Sequence, residues 1–515
     1  MKLLKRLVLL LLILAVAFGV ARRCNRLPSL AGRSTSTAVF ATDDTGLGQS
    51  IAPLVAAHRG LSGIYPLIDS GDAFAARMHL ARVAERTLDI QYYIWEKDLT
   101  GTLLFDAVRA AAERGVRVRL LLDDNNTYGL DPTLAALDAH PNIEVRLFNP
   151  FVVRKPRIGY ITNFSRANRR MHNKSFTADN QLTIIGGRNI GDAYFGTAQG
   201  LLFVDLDVIA AGPVVTDVST DFDRYWGSAS SYPADRIIPP IPAQQAKDLA
   251  AAAEAVSHDP AAVKFLQAMR ESPFLRLLTE HRLEFEWAAT RMISDDPAKG
   301  LGLAAPQQLF GEQLREIIGQ PTRDIELVAA YYIPAVAGVN SFVRLAREGI
   351  QLQVMTNSLS AADGPWAFSG YAKRRKALLK AGVTLYEMRR LSPDSESKSA
   401  GPLGSSGSSL HAKTFSIDGT RFFVGSFNFD PRSRKLNTEL GFVIDSPVLA
   451  QKISGAFATS IPANSYHVQL SSDGELFWTE QNGDKVTSYK DDPGTSFWLR
   501  AAVWALSILP IDWLL

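Results

Sequence analysis

MHNKSFTADNQLTIIGGRN, from Met171 to Asn189, holds a His and a Lys two apart and an Asp five further on. Alone it settles nothing, because a His-x-Lys pair on a strand is ordinarily surface. It gains meaning because it returns 239 residues later as LHAKTFSIDGTRFFVGSFN, Leu410–Asn428. The shared pattern reads His172, Lys174, Asp179, Gly186, Gly187, Asn189 in one copy. In the other it reads His411, Lys413, Asp418, Gly425, Ser426, Asn428.

The surroundings repeat as well. DIQYYIWEKD at Asp89 is matched to ELVAAYYIPA, with Tyr92 set on Tyr331 at the same spacing. GTLLFDAVRAAAERG and GVNSFVRLAREG have helical periodicity, and VRVRLLLDD and IQLQVMTNS have strand periodicity. A second helix–strand pair follows in each half, and then the quoted segment as a hairpin. The pattern predicts two duplicated α/β units, each built on a sheet.

Side chains two apart on a strand share a face, so His and Lys project together. The glycines admit close backbone approach, and the Asn supplies an amide. One copy makes half of a phosphate site. Two copies facing each other supply two imidazoles, one to attack phosphorus and one to protonate the leaving oxygen. Lys174, Lys413, Asn189, Ser426 and Asn428 are the expected donors to the phosphate oxygens. Each imidazole needs an orienter. LLFVDLDVIAAGPVV (Leu201–Val215) aligns without a gap on KLNTELGFVIDSPVL (Lys435–Leu449) and sets Asp205 opposite Glu439. The expectation is that Asp205 holds His172 and Glu439 holds His411, raising both imidazole pKa values, with Asp207 a close competitor for Asp205. Asp179 and Asp418 belong to the catalytic signature, with bracing of the surrounding loops as their alternative role.

The chain has 515 residues, a net charge of +3 and one cysteine, Cys24. An intrachain disulfide and a cysteine-ligated zinc site are therefore excluded. The eight histidines show no metalloprotease spacing, so the expected cofactor set is none and the expected metal set is none. LVLLLLILAVAFGVA (Leu7–Ala21), after a basic start, reads as a signal or membrane-anchor segment. The expected divisions are 1–26 anchor, 27–59 polar linker, 60–237 first half, 238–321 partly helical connector, 322–495 second half and 496–515 apolar tail. That tail, closing on LPIDWLL, either docks on the core or lies at a membrane interface.

The doubled motif, its order and the preceding repeats resemble the phospholipase D superfamily, with coverage from about Gly60 to Ile461. Gly187 stands where Ser is common in that family. Within it, the apolar N-terminus and the closing tail are similar to those of bacterial cardiolipin synthases of the C type. The resemblance implies two tandem phospholipase D-like domains with the active site between them. It implies a covalent phosphohistidine on His172, with His411 as acid and base. The implied function is a phosphatidyltransferase at the bacterial inner membrane, with phosphatidylglycerol and either a second phosphatidylglycerol or phosphatidylethanolamine as substrates. Hydrolytic phospholipase D and a nuclease of the same superfamily are the alternatives. The basic run RKPRIGYITNFSRANRR, Arg154–Arg170, would attract anionic headgroups. Phospholipids and the membrane are the expected partners; nucleic acid is not, and there is room for an accessory protein.

Overall fold

In each half, short stretches rich in β-branched and aromatic residues become strands, and the amphipathic stretches GTLLFDAVRAAAERG and GVNSFVRLAREG become helices that cross between parallel strands. The computed structural model describes residues 2–157, 159–197, 201–241, 243–362, 364–390 and 407–509. The first half contributes β1 (Ser62–Leu67), β2 (Thr87–Tyr92), β3 (Arg117–Asp123), β4 (Ile143–Phe148), β5 (Ser175–Ala178), β6 (Leu182–Gly186), β7 (Leu201–Val204), β8 (Asp207–Ala211) and β9 (Ser231–Pro233). All but β7 form a sheet in the order β9-β4-β3-β2-β5-β6-β8-β1, parallel across β4-β3-β2 and antiparallel elsewhere.

The second half repeats this with β10 (Glu286–Ser294), β11 (Asp324–Ala329), β12 (Gln351–Asn357), β13 (Thr384–Met388), β14 (Gly407–Leu410), β15 (Lys413–Ile417), β16 (Arg421–Gly425) and β17 (Leu440–Asp445). β18 (Ser465–Leu470), β19 (Leu476–Asn482) and β20 (Lys485–Tyr489) complete it. β14 leaves this sheet to pair with β7. The others run β20-β19-β18-β13-β12-β11-β15-β16-β17-β10. The fold is thus two duplicated α/β units.

The two sheets are joined. β10 pairs with β17 on one side and, at Ser62↔Ala288, with β1 on the other. It is the second half's counterpart of β1, so the 238–321 connector contains a structural strand of that half. Its sequence, EWAATRMIS, lacks the strict alternation that marks a strand. The inner faces of the two hairpin regions then pack on each other through Ile185, Val208 and Ala210 against Phe422, Val424 and Phe442. All six are almost fully buried, and this seam fixes the halves face to face.

Two sequence expectations shift. Strand β2 lies on β5 with Ile90↔Phe176, and β11 lies on β15 with Leu327↔Phe415. The equivalent of Tyr92 is therefore Ala329, an offset of 237, and not Tyr331. The YY dipeptides are a coincidence of composition two residues out of register. The 27–59 linker, in turn, contains the helix Gly46–Ala57, which buries Leu47 and Ile51 against the first core.

The N-terminal helix, Lys2–Cys24, has an apolar window over Leu3–Cys24 of mean hydropathy 2.5 that makes no buried contact. At 1.5 Å per residue its length matches a hydrocarbon layer of about 30 Å, and its length and composition fit a membrane anchor. The final described helix, Phe497–Ile508, buries Val503 in the second core. Residues 510–515, most of the closing LPIDWLL, lie outside the described residues.

Asp179 and Asp418 sit in the hairpin turns with φ of 49° and 54°, a conformation that Asp tolerates better than most residues. Asp179 accepts hydrogen bonds from the backbone N–H groups of Glu85, Arg86 and Thr87. Asp418 does the same for Thr322, Arg323 and Asp324. Asp179 is fully buried and Asp418 only partly. Replacing Asp179 by Ala should therefore cost about 2–4 kcal/mol through orphaned donors, and Asp418→Ala distinctly less. Urea unfolding of the two variants measures the difference; equal losses would contradict the bracing role.

Candidate active site

His172 and His411 stand just before β5 and β15, at the ends where the halves meet. Each is anchored by the other half. The His172 N–H donates to the Thr438 carbonyl at 2.9 Å, and the His411 N–H donates to the Val204 carbonyl at 2.8 Å. The residues that follow these two acceptors are Glu439 and Asp205.

The carboxylates therefore cross over. His172 Nδ1 lies 2.8 Å from Glu439 Oε2, and His411 Nδ1 lies 2.5 Å from Asp205 Oδ2. This reverses the pairing expected from sequence. The reason is topological: the strand carrying each carboxylate leaves the hairpin of its own half and runs past the other half's histidine. β7 pairs in parallel with β14, and Met171 bridges to Thr438. Asp207 is not an orienter; it accepts from Arg77 at 2.7 Å and lies 3.5 Å from Arg188, fully buried.

The two halves differ in how they seat the carboxylate. The Ser426 hydroxyl donates to Glu439 Oε2 at 2.5 Å and accepts from the Leu440 N–H at 3.0 Å. Its geometry positions Glu439, and it was expected instead to contact phosphate. At Gly187, a Cβ would lie 2.1 Å from Asp205 Oδ1. The first half thus combines a glycine with a carboxylate that lies directly over it, and the second a serine with a longer carboxylate. Gly187 is not merely a missing hydroxyl, because serine there would meet the oxygens that brace His411.

A cavity of about 320 Å³ opens between the halves, lined by His172, His411, Asn189 and Asn428. Its walls include Tyr93, Tyr194, Phe203, Tyr331 and Trp366, with Arg432 and Asn437 at one side. Asn189 accepts from the Ile94 N–H and donates to the Tyr194 hydroxyl. Asn428 Oδ1 has no hydrogen-bond partner among the described residues. Lys174 and Lys413 are buried behind the histidines, each ammonium donating to the carbonyl of its own half's histidine. Asp179 and Asp418, at the far ends of the hairpins, do not line the cavity. Sequence reasoning missed the aromatic wall. The usable signals are Tyr194, which closely follows Asn189, and the two YY dipeptides, each of which gives one tyrosine, Tyr93 or Tyr331, to the wall.

The basic run is mostly structural. Arg154 pairs with Asp124 and Asp131, Arg170 with Asp123, and Arg169 donates to backbone carbonyls of Lys299 and Lys435. Arg432 donates to Asn168 across the seam. Arg154, Arg169 and Arg170 hold the loop beside the cavity, and Arg432 is the one of these four that also lines it.

Burial decides the protonation states. It pushes His411 down to about 4, with the Lys413 charge adding to this and Asp205 only partly opposing it. His172 is held well below 6.5 by burial, then by Lys174 and Lys413. The carboxylate partners therefore do not raise the imidazoles as expected. Burial lifts Glu439 to about 7 and lowers Lys174 to about 7. For Asp205, burial is outweighed by His411 and Lys413, and the carboxyl stays well below its ordinary range. Among the described residues, no group of three or more His, Cys, Asp or Glu is gathered as for a metal ion.

A sequence profile described as "Cardiolipin synthase, PLD-like domain" matches residues 78–226 and 314–461. The chain belongs to the phospholipase D-like family. It is 50% identical to cardiolipin synthase C of Escherichia coli over 91% of this chain and 99% of that one. It is 29% identical to an uncharacterized protein of Helicobacter pylori over 90% of this chain and 92% of the relative. Cardiolipin synthase A of Klebsiella pneumoniae is 23% identical, over 79% and 72% of the two chains. Among solved structures, phosphatidylserine synthase from Haemophilus influenzae shares the fold, with a TM-score of 0.54, 13% identity and coverage of 87% of this chain and 95% of that one.

Chemistry with two imidazoles needs one neutral and one protonated. Both are held below about 6.5, the ordinary histidine value, and Lys174 loses its charge at about 7. A falling pH protonates the imidazole that must attack, and a rising pH removes the proton of the acid and the Lys174 charge. The pH profile of kcat/KM should therefore be a bell with its maximum on the acid side of neutrality. A maximum above about pH 8 would show that the carboxylates outweigh burial and raise both imidazoles.

Proposed function

We propose that the chain is a membrane-anchored phosphatidyltransferase that forms cardiolipin through a phosphohistidine on His172. The observation that carries the lipid product is the 50% identity to cardiolipin synthase C, which covers nearly all of both chains. The site geometry supports the chemistry. With Nδ1 of His172 facing Glu439, Nε2 is the nitrogen for phosphorus. It forms the P–N bond as the bond to the leaving alcohol breaks, and His411 gives that oxygen its proton. The acceptor's glycerol hydroxyl then loses its proton to His411, forms a P–O bond and releases His172. Asn189 and Asn428 line the cavity where the non-bridging oxygens would sit, and the buried ammoniums of Lys174 and Lys413 add positive charge from behind the histidines.

The unequal carboxylates support this division of roles. Asp205 stays ionised beside His411 and favours its imidazolium, as an acid requires. Glu439, lifted to about 7, does less to protonate His172, which a nucleophile requires. A bound diester brings negative charge between the two lysines that hold His411 down, so the acid gains its proton with the substrate. The aromatic wall limits water at the phosphohistidine and so favours transfer over hydrolysis.

We place the enzyme at the bacterial inner membrane, held by Lys2–Cys24, with phosphatidylglycerol as acceptor. The donor is a second phosphatidylglycerol or phosphatidylethanolamine. An accessory protein is compatible with this reading, and nucleic acid is not its substrate.

The crossed pairing has a kinetic signature. An activated p-nitrophenyl diester has a leaving group that needs no proton. Asp205→Asn, which acts on the acid His411, should keep most of its p-nitrophenol burst while losing roughly 10²-fold or more in lipid turnover. Glu439→Gln, which acts on the nucleophile, should depress both. The opposite result would restore the uncrossed assignment.

The product test uses the full-length protein in bilayers of labelled phosphatidylglycerol, with and without phosphatidylethanolamine. Cardiolipin should be the major product and phosphatidic acid minor. Phosphatidic acid dominating in every composition would make the chain a hydrolase. Cleavage of single-stranded DNA with neither lipid consumed would make it a nuclease.

A further inference from the structure

The helix Phe497–Ile508 has two faces of opposite fate. Its inner face packs Val503 and Leu499 into the second core. Arg500, also on the inner side, donates to the Thr495 carbonyl and lies 3.4 Å from Asp491. Its outer face leaves Trp498 79%, Trp504 67%, Phe497 66% and Ile508 63% exposed. Among the described residues of this helix, that face carries no charged side chain. Large apolar groups occur singly on ordinary surfaces, but a contiguous uncharged stripe with two tryptophans marks an interaction site.

What the helix rests on gives the stripe its meaning. It packs against the helix Pro365–Ala372, whose Trp366 and Ala367 line the cavity between the histidines. Trp366 is itself 48% exposed. The first half carries a second apolar projection. Ile161, 72% exposed, lies on the turn Gly159–Thr162, which contacts the anchor helix. Asn25, just past the end of the anchor, donates to Thr162 at 2.6 Å. The first half is thus tied to the anchor, and the second half, through the helix that lines the cavity with Trp366, carries the tryptophan stripe.

We propose that the outer face of Phe497–Ile508 lies in the interfacial layer of the bilayer that Lys2–Cys24 enters, as a second membrane contact that holds the cavity mouth to the lipid surface. Tryptophan favours that layer, where its ring is partly apolar and its N–H stays wet. A lone anchor leaves the body free to tilt about one point. A second contact on the other half fixes the approach of lipid headgroups to His172 and His411. This rests on the membrane reading given above.

The test uses the full chain in proteoliposomes of phosphatidylglycerol and phosphatidylethanolamine. In a Cys24→Ser background, a nitroxide on Trp504→Cys should be accessible to oxygen and shielded from a water-soluble nickel chelate. A label on Asp491→Cys should show the reverse. Accessibility of the Trp504→Cys label to nickel would overturn the proposal, as would shielding from both reagents, which marks a protein contact such as a second copy of the chain. In a separate variant, Trp498→Asp with Trp504→Asp should lower turnover of vesicle lipid by roughly tenfold or more, since the interface no longer holds the helix. Turnover of monomeric short-chain phosphatidylglycerol should stay at the wild-type level. Equal loss on both substrates would place the tryptophans in structure and not at the membrane. Wild-type protein inactive on both would count against the proposed function, whatever the label shows.

Discussion

The exchange of carboxylates between halves is the contact on which the site depends. Neither imidazole is oriented by its own repeat. His172 is held by Glu439 and by the Thr438 carbonyl; His411 is held by Asp205 and by the Val204 carbonyl. All four charged or titratable side chains are buried. Removing one partner from such a buried pair costs about 1–3 kcal/mol or more, because the other is left without its hydrogen bond. The catalytic geometry and the docking of the two halves are therefore the same structural problem.

The rest of the architecture serves that exchange. β10 pairs with both β1 and β17 and makes one bonded surface of the two sheets. β7 and β14 cross the seam beside His411. Lys299 adds a third tie: it donates to Asp295, and Asp295 accepts from the Glu439 N–H at 3.0 Å. The connector thus supports the carboxylate that orients His172. A seam built of backbone pairing, apolar packing and buried ion pairs resists sliding, which a site with its two imidazoles on different bodies requires.

Much of this was legible in the sequence. The H-x-K spacing, its second appearance and the helix–strand periodicity between the copies gave the duplicated α/β units and the two histidines. Asp205 and Glu439 were found by alignment of the two halves. Their pairing was not, because an alignment compares equivalent positions and carries no information about which half faces which. The match of Tyr92 to Tyr331 failed for a related reason: two identical residues outweighed a register set by strand pairing. β10 escaped because both its neighbours are strands distant in sequence, and its own pattern is only half alternating. The imidazole pKa values could not be read either. They depend on burial, a property of the assembled seam, which here outweighs the nearby carboxylates.

The crossing also sets a clock on the nascent chain. The orienter of His172 lies 267 residues downstream of it. While the ribosome has made only the first half, His172 has neither Glu439 nor the Thr438 carbonyl to hold its ring, and Asp205 has no imidazole to brace. A finished first repeat lacks both contacts that orient its own histidine. Both imidazoles are oriented only once the second repeat has emerged, folded and closed over the first, so the two-histidine site is a property of the completed pair of halves.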